Sequence, residues 1–287
     1  MGGNGDERNV SLKTGEAVEL ACGELGYSVK PLVLGHDFKI FLDDFKNVDI
    51  VFNALHGGIG ENGTIQSWFE RNNIKYTGSN SISSRLCMDK SKSKEIVKKI
   101  GLDTPKWEII NNINDPIKLK PPYVIKPNDQ GSTVGITIVD NINTTKKALL
   151  HAFKFGSEIM IEEFIDGREL TVFVAGEKVY PIVEIQPKKK LYDYECKYKD
   201  GMSNYICPSK INSRLTNEIK NSTLDIFNAL KCKVYGRADF ILKRNECFFL
   251  EMNTLPGLTN TSLAPKAAAE EGLSFAKLIK QIIRYSL

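Results

Sequence analysis

The spacing of apolar positions changes period along the chain, and each change marks an element. Val10, Leu12, Ala17, Val18, Ala21 and Leu25 recur at helical spacing and predict a helix closed by Gly26. Residues 27–34 read as a strand. The run VDIVFNAL at 48–55 is nearly all apolar, as expected of a strand covered on both faces. A glycine-rich loop from His56 to Thr64 then leads into a helix over 64–72, and a short strand falls at 76–77. Further helices are predicted over 85–100, 144–155, 215–230 and 267–283. Strands are predicted at 121–126, 136–139, 158–165, 169–174 and 179–185. Strands and helices in this order predict an α/β chain. The stretch KKKLYDYECKYKDGM at 188–202 fits neither period. Its three tyrosines and alternating charges suit a loop that closes over a site.

The most informative pattern is a hairpin, VYGRADFIL followed by a charged turn and CFFLEMN, leading into TLPGLTNTSL. With a three-residue loop at 244–246, Lys243 faces Cys247, Asp239 faces Glu251 and Arg237 faces Asn253. Strand alternation then assigns Gly236, Ala238, Phe240, Leu242, Phe248, Leu250 and Met252 to the core. Arg237, Asp239, Glu251 and Asn253 fall on the other face. Two opposed carboxylates repel across a strand pair. A hard divalent cation reverses that repulsion, and two carboxylates with an amide oxygen form a donor set suited to magnesium. The alternative is a solvated outer face on which Arg237 neutralises the acids.

Two other loops carry candidate chemistry. The loop after 48–55 lies where an α/β sheet presents ligands, with His56 at its start; a hydrogen-bonded structural histidine is the competing reading. PNDQGSTVG at 127–135 joins two antiparallel strands, with Lys126 at its base. Backbone amides in such a loop can cap phosphates; a plain mobile hairpin is the alternative. The loop matches neither common phosphate-binding glycine motif, which disfavours those nucleotide folds.

Composition narrows the classes. A chain of 287 residues with 41% apolar content can bury a large core divided among two or three lobes. The net charge of +4 suits a small anionic ligand, and without a dense basic block nucleic acid is not an expected partner. No apolar run reaches the length of a membrane span. The six cysteines form no C-x-x-C pair, which argues against zinc and for a reducing cytoplasm.

Taken in order, these pieces resemble the D-alanine–D-alanine ligases of the ATP-grasp superfamily. The resemblance rests on GGNGDERNVSL near the start, ALHGGIGENGTIQ at 54–66, MDKSKSK at 88–94 and IKPNDQGSTVG at 125–135. It continues through EEFIDGREL at 162–170, YDYECKY at 192–198, GRADF at 236–240 and LEMNTLPGLTNTSL at 250–263. It implies an ATP-grasp fold with a parallel α/β lobe (1–78), a central lobe (79–163) and a C-terminal lobe (164–287), ATP lying between two sheets. It also implies ligation of two D-alanines through an acyl phosphate, for peptidoglycan precursors, by a cytoplasmic homodimer.

Site residues follow by resemblance alone. Asp239, Glu251 and Asn253 would hold two magnesium ions, for which manganese can substitute. Lys90, Lys126 and Lys197 would contact the ATP phosphates. Glu162, Glu163, Phe164 and Ile165 would form the adenine hinge, with Leu250 beside it and Glu169 on the ribose. Glu7 would anchor the first D-alanine ammonium and His56 would orient that substrate. Arg237 and the Gly257 amide would form the oxyanion hole, and Ser262 with the Leu263 amide would receive the second carboxylate. Glu7, Ser132 and Tyr198 would form a hydrogen-bonded set, with Tyr198 favouring a D-alanyl-D-alanine product. Two positions depart from the family pattern: Met1 falls inside the first glycine turn, so the first strand is expected to be missing, and Cys196 replaces a small lid residue. The alternatives are another carboxylate–amine ligase of this superfamily, such as a D-alanine–D-lactate ligase, or an inactive ATP-binding relative.

Overall fold

The computed structural model describes residues 1–5, 7–35, 37–188, 201–259 and 261–287. Helices α1 (Arg8–Glu24), α2 (Leu42–Lys46), α3 (Gly58–Glu61) and α4 (Thr64–Arg71) come first, followed by α5 (Ser81–Met88) and α6 (Lys90–Lys99). Strands β1 (Trp107–Ile110), β2 (Tyr123–Pro127), β3 (Thr137–Val139) and β4 (Ile159–Glu163) form an antiparallel sheet in the order β1-β4-β2-β3. Helix α7 (Thr145–Ala152) covers it and fills a core with Ile110, Tyr123, Ile125 and Ile161.

The second sheet contains β5 (Arg168–Ala175), β6 (Lys178–Val179), β7 (Val183–Pro187), β8 (Ser203–Ile206), β9 (Tyr235–Lys243) and β10 (Glu246–Asn253). Its order is β10-β9-β5-β7-β8, with β6 on β5. Helices α8 (Ser213–Ala229), α9 (Leu263–Glu270) and α10 (Phe275–Ser286) complete the chain. One face of the sheet packs Leu170, Val172, Ala238, Phe240 and Phe249 against α5, α6 and α8. On the other face, Phe173 and Ala175 meet α1, α9 and α10. Farther along that same face come Glu169, Thr171, Arg237, Asp239 and Ile241, and here the face is open to a cavity. One sheet face is therefore core at one end and site at the other.

Several expected elements take a different form. The 85–100 helix is two helices broken at Asp89, whose extended backbone (ψ 96) and side chain cap the Lys92 N–H. An aspartate that accepts from an amide three residues on starts a new helix rather than continuing the old one. The closing helix is likewise divided, at Gly272, where φ is +77. The expected strands at 27–34, 48–55 and 76–77 form no ladder. They contribute single parallel bridges, Gly2↔Leu34 and Val51↔Tyr76. The glycine turn around Gly2 pairs with the 27–34 segment: Leu34 N–H donates to Met1 O at 2.8 Å and Gly3 N–H to Leu34 O at 3.0 Å. The core of this region is aromatic. Trp68 takes Phe38 edge-on at 5.3 Å and lies against Phe45 and Phe69.

The β9–β10 hairpin also differs from the expected register near its turn. Lys243 pairs with Glu246, so the loop is the two residues Arg244 and Asn245, with Arg244 at φ 57. This places Phe249, not Phe248, in the core opposite Phe240. A β-bulge at Leu250 then inserts one unpaired residue and restores Glu251↔Asp239 and Asn253↔Arg237. The expected opposition at the site is correct because the shorter turn and the bulge cancel. The bulge also turns Leu250 out of the core and onto the cavity wall.

Candidate active site

Two cavities, of about 550 and about 480 Å³, adjoin each other. The larger is lined by Glu7, His56, Asn253, Gly257, Ser262 and Leu263. The smaller lies between the two sheets and is lined by Lys126, Glu162, Glu163, Phe164, Ile165, Glu169, Asp239 and Leu250. Lys90, Gly131, Ser132, Arg237 and Glu251 line both. Each sequence-predicted site residue that is described therefore lies on one of these two walls. Lys197, Tyr198 and Cys196 lie outside the described residues.

The smaller cavity has an apolar slot and a cationic end. Val124 and Ile136 face Ile185, Ile241 and Leu250 across it. Lys126 is buried and holds Glu162 Oε2 at 2.6 Å. Lys94, which resemblance did not single out, holds the other oxygen at 2.5 Å. Burial alone would raise the Glu162 carboxyl, but Lys126 and Lys94 outweigh it and keep it below the usual carboxylate range. Lys90 begins α6 because the helix restarts at Asp89. Its ammonium donates to Gln130 O at 2.5 Å and lies 3.3 Å from Glu251 Oε2. Asn128 joins this helix start to the glycine loop: its carbonyl accepts the Lys90 N–H and its side-chain oxygen the Ser91 N–H.

The paired carboxylates are held by more than repulsion can undo. Arg237 donates to both oxygens of Asp239, at 2.9 and 2.7 Å, and Thr171 Oγ1 donates to the same carboxylate at 2.5 Å. Arg237 is thus the neutraliser of Asp239 as well as a wall of both cavities. Asn253 Oδ1 accepts the Leu255 N–H at 2.9 Å, which fixes the amide plane. Asp239, Glu251 and Asn253 present hard oxygen donors from alternate rungs on one face of the hairpin, a donor set suited to a magnesium ion.

In the larger cavity, Ser132 donates a hydrogen bond to Glu7, tying the glycine loop to the N-terminal segment. Ser132 and Thr133 adopt φ values of 49 and 65, an unusual region for a β-branched residue, and this turn points the hydroxyl at Glu7. Gly57 must be glycine: its φ is +64, and a Cβ there would fall 2.2 Å from the Glu7 carboxylate. His56 uses both ring nitrogens within the protein, with Thr14 at 3.0 Å and Glu61 at 3.5 Å, the structural arrangement weighed from sequence. Gly57 N–H also donates to Glu61. Ser262 Oγ accepts the Thr259 N–H, closing the loop after β10.

The family model described as "D-ala D-ala ligase C-terminus" matches residues 95–284, and "D-ala D-ala ligase N-terminus" matches residues 36–79. The chain belongs to the D-alanine–D-alanine ligase family. It is 43% identical to the D-alanine–D-alanine ligase of Aquifex aeolicus (strain VF5), over 99% of this chain and 98% of that one. It superposes on the ATP-complexed D-alanine–D-alanine ligase of Bacillus anthracis with a TM-score of 0.89 and 35% identity, over 100% of this chain and 94% of that one. The VanG D-Ala:D-Ser ligase of Enterococcus faecalis gives 0.86 at 28% identity, over 100% and 98%. The ATP-grasp fold expected from the motifs is the fold of these ligases. Among the described residues no helix is long and apolar enough to cross a membrane.

Two residues that buttress the smaller cavity, Thr171 against Asp239 and Lys94 against Glu162, were not singled out from sequence. Thr171, on the strand beside β9, reads as an ordinary β-branched strand residue. The buried positions of α6 are Lys90, Ser93, Lys94 and Val97. That is the spacing of a core stripe, but three of the four residues are polar, so no hydrophobic signal marks it.

Proposed function

We propose that the protein joins two D-alanines into D-alanyl-D-alanine, converting ATP to ADP and phosphate, for peptidoglycan precursor synthesis and so for the cell wall and cell shape. The observation that carries this reading is the shared wall of the two cavities: Lys90, Ser132, Arg237 and Glu251 stand where a nucleotide slot meets a substrate cavity. A group passed from nucleotide to carboxylate must cross such a boundary. Full-length similarity to D-alanine–D-alanine ligases supports the choice of amine substrate over D-lactate.

In this reading the apolar slot takes adenine against Phe164, Ile165 and Leu250, Glu169 takes the ribose, and Lys90, Lys126 and Lys197 bind the phosphates. Asp239, Glu251 and Asn253 hold two magnesium ions, or manganese in their place. Bound there, the metal would supply positive charge against the oxygens of the ATP phosphates, and so against the phosphoryl group that passes to the carboxylate. Glu7 binds the first D-alanine ammonium, and Ser132 and Tyr198 hold the loop and lid to it. His56 orients that substrate by fixing Glu61 and the Gly57 turn beside it. Arg237 and the Gly257 amide stabilise the oxyanion formed as the second amine attacks the acyl phosphate. Ser262 and the Leu263 amide receive the second carboxylate. Holding the reactants in this order supplies most of the acceleration, since phosphoryl transfer depends on positioning and charge.

We further propose three lobes, 1–78, 79–163 and 164–287, and a cytoplasmic homodimer. The two sheets on either side of residue 163 support the division, and free thiols at the five described cysteines support a reducing compartment. Incubation with ATP, magnesium and D-alanine should yield the dipeptide by mass spectrometry and phosphate in equal amount. Nucleotide binding without dipeptide would overturn the reading, and D-lactate or D-serine in competition should leave D-alanyl-D-alanine the main product.

A further inference from the structure

Lys94 is fully buried, an unusual place for an ammonium. Its Nζ lies 2.5 Å from Glu162 Oε1, donates to Thr104 Oγ1 at 2.6 Å and lies 3.3 Å from Phe249 O, with the Trp107 ring centre 5.8 Å away. Thr104 Oγ1 donates to the same Phe249 carbonyl at 2.8 Å. Phe249 immediately precedes the bulge. Three elements meet on one nitrogen: α6, which begins with Lys90; β4, which carries Glu162; and β10, which carries Leu250 and Glu251. Burial disfavours the Lys94 ammonium and lowers it to about 8, with Lys126 adding to that effect and Glu162 and Glu251 opposing it. It is therefore mostly charged at neutral pH.

Charge counting shows what this arrangement does. Glu162 offers one carboxylate to two ammoniums, Lys94 on Oε1 and Lys126 on Oε2. Two positive charges against one negative leave one positive unit at the end of the slot, and of the two lysines Lys126 is the one that lines the cavity. Without Lys94, Glu162 would neutralise Lys126 alone, and the slot would offer the phosphates no net charge from this cluster. We propose that Lys94 is a positioning residue for ATP: by sharing Glu162 it frees the charge of Lys126 for the phosphates, and through Phe249 it holds the bulge that shapes the nucleotide wall. This rests on the reading of the smaller cavity as the ATP site.

The test is ATP binding measured by calorimetry with magnesium present, beside steady-state KM and kcat. Lys94→Met should weaken ATP binding about tenfold or more, the scale of losing one poorly screened charge beside an anion, while KM for D-alanine stays unchanged. Adding Glu162→Gln restores the net positive charge, so the double variant should recover most of the lost affinity. A purely structural lysine predicts the opposite, a further loss when its partner is also removed. Replacing a whole buried ion pair is often neutral for stability, so the double variant remains informative if the single one does not fold. Double-variant binding close to the unmodified chain supports the proposal; binding as weak as that of Lys126→Met overturns it. If Lys126→Met itself binds ATP normally, it is the assignment of the cavity that fails.

Discussion

The β9–β10 hairpin and the N-terminal segment up to Thr77 line the same pair of cavities but are built differently. Asp239, Glu251 and Asn253 stand on a paired ladder, each position set by its rung. Glu7, His56 and Gly57 stand on loops joined by single bridges. There the holding is done by side chains. Ser11 accepts the Gly2 N–H at 2.8 Å and donates to Ala54 O at 2.7 Å. Asn53 accepts the Leu55 N–H, and Gln66 donates to Gly60 O. A ladder distributes positional control over many bonds, so no one side chain is indispensable to the frame. A stitched segment concentrates it. The hairpin half should therefore tolerate substitution in its framework but not at Asp239, Glu251 or Asn253, and the N-terminal half should be sensitive in both.

The sharpest test of this contrast is Glu251→Gln. Removing a charged metal ligand should cut turnover by about a thousandfold, with an unchanged circular-dichroism melt, because the ladder does not depend on that charge. A variant near normal rate would mean the hairpin holds no metal. Arg237→Met should follow at about a hundredfold in kcat, as for loss of one oxyanion donor; a change confined to KM for D-alanine would assign Arg237 to ground-state binding only. Ser11→Ala probes the stitched half. It should lower unfolding free energy by about 1–3 kcal/mol, the usual cost of stranding buried partners, and raise KM for D-alanine while ATP binding holds. Equal loss for both substrates would mean the two halves are not separately held.

A further test is one of pH. Lys94 loses its proton near pH 8 in the folded chain but near its ordinary 10.5 when unfolded. Between these values the unfolded chain holds more protons, so this group's contribution to stability rises with pH. ATP affinity should fall over the same window. Opposite slopes in the unchanged chain, both flattened in Lys94→Met, would tie the titration to this side chain; parallel slopes would exclude it.

Much of this was legible in sequence because the chemistry-bearing residues occur in short contiguous motifs. MDKSKSK, GRADF and LEMN each place their ligands within a few residues, and alternation along a strand does the rest. What was not legible depended on cancellation or burial. The Asp239–Glu251 opposition was read from an assumed three-residue turn, while the fold reaches it by a two-residue turn and a bulge. The break at Asp89 was hidden because the residues on either side share a helical pattern. Lys94 was hidden because a lysine in a charged helix reads as solvent-facing, and only the packing of three elements shows otherwise. The 48–55 run is as apolar as a buried strand, yet only Val51 forms a bridge, with Tyr76.

The bulge at Leu250 has one more consequence. It acts as a slip joint: the turn-proximal half of the hairpin and the site-proximal half keep separate counts of residues. With the same two-residue turn and no skip at Leu250, Asp239 would stand opposite Leu250 and Glu251 opposite Ala238, which turns the second acid toward the core face. The same opposed acids can thus be reached by two routes, a three-residue turn with a regular ladder or the two-residue turn with a bulge that this chain uses.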